Sequence, residues 1–359
     1  MAQSFIPVRE NIQHMQGYAP GEQPTDPTVI KLNTNENPYP PSPRVLEAIA
    51  AVTADQLRRY PSPDARVFRE AAAEVHGLTP EHIITVNGGD ELLAYAVRAA
   101  AAAGDGVAYT VPSYSLYPVL ADMQGARHVH VRFAIDNADW HMPEDAFDHL
   151  SGKAGILLIT NPNAPSGTLL SEALLRRALE RFRGLVLVDE AYVNFARRDA
   201  LSLVHEYANL LLLRTMSKGF SLAGIRFGYG VGSPKLISEL HKVRDSYPCD
   251  AVSIAAATAA LKDLPYAAST WELIKTGRGR VAAELKEMGF TLPESQTNFV
   301  LAYVPEGHDA AHLYEGLKQR HILVRYFRLP HLTNALRITI GTPQQNNRLL
   351  EELKALTGR

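Results

Sequence analysis

Lys218 stands in the run Ser217-Lys218-Gly219-Phe220, just past the apolar segment LLLLRT (210–215), and Arg226 follows eight residues later. Schiff-base chemistry needs an amine whose ammonium form is disfavoured by its surroundings, and a bound phosphate needs fixed cationic donors such as a guanidinium. Both residue types occur here within one loop. Asp189 ends another apolar segment, GLVLVDEAY (184–192), where an unpaired buried carboxylate would cost roughly several kcal/mol, so a partner is expected. A protonated ring nitrogen is such a partner, and keeping it protonated makes the ring an electron sink. Tyr192 and Asn161 could each reach an oxygen on that ring, the amide lowering the basicity of a neighbouring imine. Gly88-Gly89-Asp90-Glu91 precedes the helical run LLAYAVRAA, whose free N–H groups could bind a phosphate. Ser217 can add a hydroxyl to the same anion, and Tyr114 a ring that stacks on an aromatic face. The combination fits pyridoxal 5′-phosphate (PLP). Taken singly, each piece has a plainer reading: a surface lysine, a helix-capping carboxylate, an Asn-Pro turn, a capped glycine turn, a core tyrosine.

The elements that must position these residues follow from the hydropathy pattern. Short apolar runs, IITV (83–86), GVAYTV (106–111), ARHVHVRF (126–133), GILLIT (155–160), GLVLVDEAY and LLLLRT, alternate with amphipathic stretches such as Ser171 to Phe182. That pattern predicts an α/β fold with a mostly parallel central sheet and helices on both faces. Ligands in such folds sit at the carboxyl ends of the strands, where the polar residues named above fall, so one common site is implied. Closely spaced prolines make the first forty residues an extended arm. A helical stretch from about Tyr266 to Met288 and the strand-like NFVLAYV (298–304) and ALRITIG (335–341), around an amphipathic helix, read as a smaller α+β domain. The expected division is 1–37 as arm and part of the small domain, 38–265 as the large cofactor-binding domain, and 266–359 as the small C-terminal domain. The alanine-rich AVRAAAAAG (96–104) reads as an ordinary helix.

Composition narrows the function classes. The chain has 359 residues, 46% of them apolar, enough for a substantial core, and its 36 basic and 38 acidic side chains leave a formal charge of −2. No run of like charge suggests a nucleic-acid arm. Cys249 is the single cysteine, which excludes an intrachain disulfide and a cysteine-rich metal site and suits a reducing cytosol. With no long apolar run and no basic-then-apolar start in MAQSFIPVRENIQ, a soluble, cytoplasmic protein is the expectation.

The segments LNTNENPYPPSP (32–43), RYP (59–61), NGGDE (87–91), PSYSLY (112–117), NPNAPSG (161–167), VDEAYVNF (188–195), RTMSKGFSLAGIRFGY (214–229) and LRITIGT (336–342) together resemble fold-type-I PLP aminotransferases, and within them the histidinol-phosphate aminotransferase family. The resemblance implies roles. Lys218 would carry the cofactor as a Schiff base and shuttle a proton. Asp189 would hold the ring nitrogen, Asn161 and Tyr192 the ring oxygen, and Tyr114 the ring face. Gly89, Asp90, Ser217 and Arg226 would form a phosphate cup, completed by Tyr60 from a neighbouring subunit, so a homodimer with shared active sites is implied. Arg337 would grip the substrate's anionic group, joined by Tyr18 and Arg325 around a substrate phosphate, with Arg328 a rival to Arg325 and Asn35 also at the substrate. The implied reaction transfers the amino group of L-histidinol phosphate to 2-oxoglutarate, giving imidazole acetol phosphate and L-glutamate in histidine biosynthesis. An aromatic amino-acid aminotransferase and a threonine-phosphate decarboxylase-like lyase are alternatives, while a PLP sensor would usually carry an added DNA-binding domain and is disfavoured because the sequence shows no basic N-terminal helix-turn-helix. Ala164 and Ser166, and DSYPCD (245–250), depart from the commoner family wording.

Three other signals carry less. His128 and His130 could pair on a strand face without a visible third metal ligand. FGYGVGS (227–233) lacks the spacing of a dinucleotide loop. Cys249 reads as a small hydrophobe.

Overall fold

The structure, a computed structural model, describes residues 7–358; the opening MAQSFI of the predicted arm and the final Arg359 lie outside the described residues. Seven strands form the main sheet: β1 Ile83–Val86, β2 Gly106–Val111, β3 Arg127–Arg132, β4 Ile156–Thr160, β5 Leu185–Asp189, β6 Leu210–Thr215 and β7 Gly228–Gly232. Their spatial order is β1-β7-β6-β5-β4-β2-β3. The apolar runs of β2, β4, β5 and β6 are central strands because both of their faces are covered, whereas β1 and the largely exposed β3 are the edges. Leu210 and Leu212 of β6 pack with Phe68, Phe227 and Ala256 on one face. Leu211 and Leu213 pack with Leu92, Leu93 and Tyr117 on the other, the period-two alternation of a strand.

β2 pairs in parallel with β3 and β4, and the parallel pairing continues through β5 to β6. The carboxyl ends of β4, β5 and β6 therefore lie along one edge. β7 is the exception, antiparallel to both β6 and β1. Its glycine-rich FGYGVG was not read as a strand, since glycine weakens a strand pattern. Packing explains the glycines: a Cβ on Gly230 would come within 2.8 Å of Leu92 and 2.9 Å of Ile84.

The alanine-rich run also departs from expectation. The helix Gly89–Ala100 stops at Ala100, and Ala101 is extended. The next N–H, of Ala102, donates to Asp105 Oδ2 at 2.8 Å, and the chain turns into β2. His128 and His130 both hydrogen-bond the Tyr109 hydroxyl, at 2.7 and 3.0 Å. Among the described residues, no helix is long and apolar enough to cross a membrane.

A second, three-stranded antiparallel sheet holds β8 Phe299–Tyr303, β9 Arg325–Tyr326 and β10 Ala335–Thr339, in the order β8-β10-β9. It packs with helices Leu264–Glu287, Ala310–Gln319 and Pro343–Thr357 through Ile274, Leu285, Leu317, Ile338 and Leu353. The arm is stitched onto this part: Ile30–Lys31 pairs in parallel with Ile322–Leu323, and the Thr339 N–H donates to the Leu32 carbonyl. Residues 33–36 are thereby laid across the mouth of the main sheet's polar edge.

Candidate active site

A cleft of about 530 Å³ opens at that edge. Its walls come from the arm (Tyr18, Asn35), the helix start (Gly89, Asp90), the strand ends (Asp189, Ser217, Lys218) and β9 and β10 (Arg325, Arg337). Tyr114, Tyr192 and Arg226 line it as well.

Lys218 lies two residues beyond Met216, whose N–H donates to Phe227, so the loop after β6 is held back against β7. Its side chain is half-buried, and Nζ donates to the Thr34 carbonyl at 2.9 Å. Burial, with Arg337 nearby, pushes the ammonium down to about 8, so the neutral amine is far easier to reach near neutral pH than in an ordinary lysine. Asp189 is buried at the end of β5. Its Oδ1 accepts from the Ala191 N–H at 3.0 Å and its Oδ2 from the Tyr117 hydroxyl at 3.2 Å. Burial pushes this carboxyl up to about 7, so a cation beside it would strongly favour its charged form.

The anion-holding end is built from backbone and guanidinium. Gly88 caps the helix with φ 83°, a left-handed conformation that suits glycine, and a Cβ there would come within 2.7 Å of the Arg226 guanidinium. Gly228 is as tightly placed, because a Cβ on it would lie 3.0 Å from both the Gly88 carbon and the Gly89 nitrogen. Arg226 Nη1 donates to Ser217 Oγ at 3.4 Å, Nη2 lies 3.7 Å from Asp90 Oδ2, and Asp90 Oδ1 accepts from the Tyr114 hydroxyl at 3.1 Å. Free helix N–H groups, a hydroxyl and a guanidinium thus converge on one spot. Together with an acidic partner for a ring nitrogen and a depressed lysine, they fit pyridoxal phosphate.

Arg337 projects from β10, directly opposite Arg325 on β9. Arg337 Nη2 donates to the Asn33 carbonyl at 2.9 Å, while its Nε is buried with no partner. Burial and the neighbouring Arg325 hold its guanidinium below the usual range, so an anion beside it would relieve both costs. Its guanidinium also lies 5.3 Å from the Phe299 and Phe327 ring centres. Arg325 lines the cleft, whereas Arg328 is exposed and does not. Tyr192 accepts from Asn35 Nδ2 at 2.9 Å, and Asn35 in turn is tied to Thr339. Tyr18 meets the Tyr114 ring edge-on at 5.9 Å.

Two expected residues stand apart. Asn161 is buried at the end of β4 with its Oδ1 taken by the Leu170 N–H at 2.8 Å, and it does not line the cleft, although Thr160 beside it does. Tyr60 is 82% exposed, outside its own chain's cleft, and stacks on Tyr247 at 4.6 Å. The sequence reading missed Tyr117, Thr160 and Ser113, which stand behind Asp189. The only local signal for Tyr117 was its place three residues after Tyr114 in PSYSLY.

The model of aminotransferase classes I and II matches residues 27–353. Histidinol-phosphate aminotransferase 1 of Nostoc sp. is 43% identical over 97% of this chain and 97% of its own. Histidinol-phosphate aminotransferase of Citrifermentans bemidjiense is 45% identical over 98% and 99% respectively. Among solved structures, histidinol-phosphate aminotransferase from Sinorhizobium meliloti in complex with pyridoxal-5′-phosphate superposes with a TM-score of 0.88 at 25% identity, covering 99% of this chain and 98% of that one. With a lysine, an acid and a phosphate cup at one sheet edge and relatives of this likeness along nearly its whole length, the chain belongs to the histidinol-phosphate aminotransferase family within the class I and II aminotransferases.

Proposed function

We propose that this enzyme binds pyridoxal 5′-phosphate and moves the amino group of L-histidinol phosphate to 2-oxoglutarate, giving imidazole acetol phosphate and L-glutamate in histidine biosynthesis. The observation that carries the substrate reading is the pair Arg325 and Arg337, cross-strand neighbours that both face the cleft. Paired guanidiniums suit a phosphate dianion, whereas a single α-carboxylate needs one fork. Phe327 and Leu332 beside them offer apolar surface for an imidazole ring.

When bound, the cofactor supplies an electron-withdrawing ring that eases loss of the proton on the substrate's α-carbon and carries the amino group between half-reactions. The residues of the chain do the rest. Asp189 would hold the protonated ring nitrogen as its anionic partner. Tyr192, held by Asn35, would donate to the ring oxygen, whereas Asn161, which does not line the cleft, is given no part. The Gly89 and Asp90 N–H groups, Ser217 and Arg226 would hold the phosphate, with Tyr114 against the ring. Lys218, freed from the Thr34 carbonyl and in its neutral form, would take the α-carbon proton and return it, the role its lowered pKa suits. Tyr18 from the arm would close the cleft over the substrate.

The proposal extends to a homodimer in the cytosol, with Tyr60 entering the partner's phosphate cup. Its support is the exposed Tyr60–Tyr247 stack, an aromatic patch of the kind that interfaces bury, and a single buried thiol, Cys249. Mixing Lys218→Ala and Tyr60→Ala proteins, each impaired alone, is expected to restore one competent site per mixed dimer; no recovery would count against sharing.

The substrate test is a panel of half-reactions with histidinol phosphate, phenylalanine and threonine phosphate, followed by visible absorption and by released CO₂. Histidinol phosphate is expected to react fastest and without CO₂. A preference for phenylalanine, or CO₂ from threonine phosphate, would replace the reading with an aromatic aminotransferase or a lyase.

A further inference from the structure

A line of hydroxyls runs inward from Asp189. Ser113 Oγ lies 2.9 Å from Asn163 Oδ1 and 2.9 Å from Thr160 Oγ1; Thr160 Oγ1 lies 2.6 Å from the Tyr117 hydroxyl, itself 3.2 Å from Asp189 Oδ2. The far end is oriented, because Asn163 spends its NH2 on the Pro112 carbonyl and Ser166 Oγ, leaving Oδ1 to meet Ser113. Tyr117, Thr160, Asn163 and Asp189 are all buried, so these groups depend on one another for partners.

Counting hydrogens shows what the line can do. Its four contacts have only the three hydroxyl hydrogens of Ser113, Thr160 and Tyr117 to share. With a protonated Asp189 pointing its own hydrogen at Tyr117, every contact is filled and the line runs toward Asn163. With a charged Asp189, each hydroxyl turns the other way and Asn163 Oδ1 is the acceptor left out. That reversal exchanges a neutral hydrogen bond for a charge-assisted one, which is the stronger kind.

We propose that Ser113, Thr160 and Tyr117 form a reversible hydroxyl relay that can satisfy Asp189 in either protonation state, reversing when a protonated ring nitrogen favours the charged carboxylate, with Tyr117 as the positioning residue. Burial chiefly raises the Asp189 pKa, Asp90 from the helix Gly89–Ala100 and Glu190 next along the chain add repulsion, and the Ala191 N–H and Tyr117 pull the other way. Lys218 and Tyr192 face the same cleft. Tyr117 is held in place by edge-on contact with Tyr114 and tilted contact with Tyr109, so its hydroxyl can be removed without emptying the site.

The inference rests on the pyridoxal phosphate reading of the site and not on the choice of substrate. Its test begins with the cofactor-free protein. The protonated carboxyl band of Asp189, assigned by its loss in Asp189→Asn, is titrated by infrared difference spectroscopy, and the Kd for pyridoxal phosphate is measured separately. Tyr117→Phe is expected to raise the titration midpoint, since the charged form loses its donor, and to weaken cofactor binding about tenfold, the worth of one charge-assisted hydrogen bond. An unchanged midpoint and Kd would overturn the relay. Thr160→Val and Thr160→Ser give an independent reading if Tyr117→Phe does not fold: valine is expected to shift both quantities in the same directions and serine to restore them, and identical behaviour of the two overturns the proposal. A wild-type protein that binds no pyridoxal phosphate would sink the site reading instead.

Discussion

Arg325→Met removes one guanidinium from the cleft while keeping much of the apolar stem, and it separates substrates by whether they carry a phosphate. Arg325 is half-buried, lies 5.4 Å from the Phe327 ring centre and sits across the strand pair from Arg337. A hydrogen bond to a charged group is worth about 1.5–3 kcal/mol. Since about 1.4 kcal/mol is a factor of ten, losing Arg325 should lower kcat/KM for histidinol phosphate about 10- to 100-fold. Dephosphorylated L-histidinol, which never used that contact, should change little. Arg328→Met is the control, because Arg328 is exposed and outside the cleft. Single-turnover decay of the visible absorption, with each donor at low concentration, measures the ratio directly. Equal losses for the phosphorylated and dephosphorylated donors would refute the phosphate assignment, and a larger loss in Arg328→Met would refute the choice between the two arginines.

Other consequences follow from the geometry. Lys218→Met should abolish the visible absorption and transamination, yet stabilise the cofactor-free protein near pH 7 by about 2–3 kcal/mol in urea unfolding. Folding lowers this lysine from 10.5 to about 8, so the wild-type penalty is full below pH 8 and fades as pH rises toward 10.5; a stability gain independent of pH would contradict this. Glu190 is buried, accepts from Arg214 Nε at 2.9 Å and takes the Ala200 N–H at 2.7 Å. Glu190→Ala should therefore cost about 3 kcal/mol in denaturant unfolding, because the buried Arg214 loses one of its carboxylate partners and the Ala200 N–H loses its acceptor. Gly228→Ala would press a methyl on the Gly88–Gly89 backbone at 3.0 Å, and equilibrium titration should show weaker pyridoxal phosphate binding with little loss of secondary structure by circular dichroism.

Much of the site was legible in the sequence because its residues sit at ends of apolar runs, and a parallel sheet sends those ends to one edge. Asp189 after LVLV and Lys218 after LLLLRT needed no more than this periodicity to be placed together. Other features had no local mark. β7 was hidden by glycines whose purpose is to let Leu92 and Ile84 approach. The alanine-rich helix stopped at Ala100 against its own propensity because the turn into β2 offered Ala102 a carboxylate, tertiary context overriding an intrinsic preference.

Residue type and order alone determined the amine, the acid, the anion cup and the family's chemistry, since these depend on functional groups and on strand direction. Register and packing depend on contacts between residues far apart in the chain, and only the tertiary structure could decide them. Pairing β9 with β10 put Arg325, rather than Arg328, beside Arg337. The packing of the helix Leu116–Gln124 against the sheet brought the Tyr117 hydroxyl to Asp189 across 72 residues of sequence.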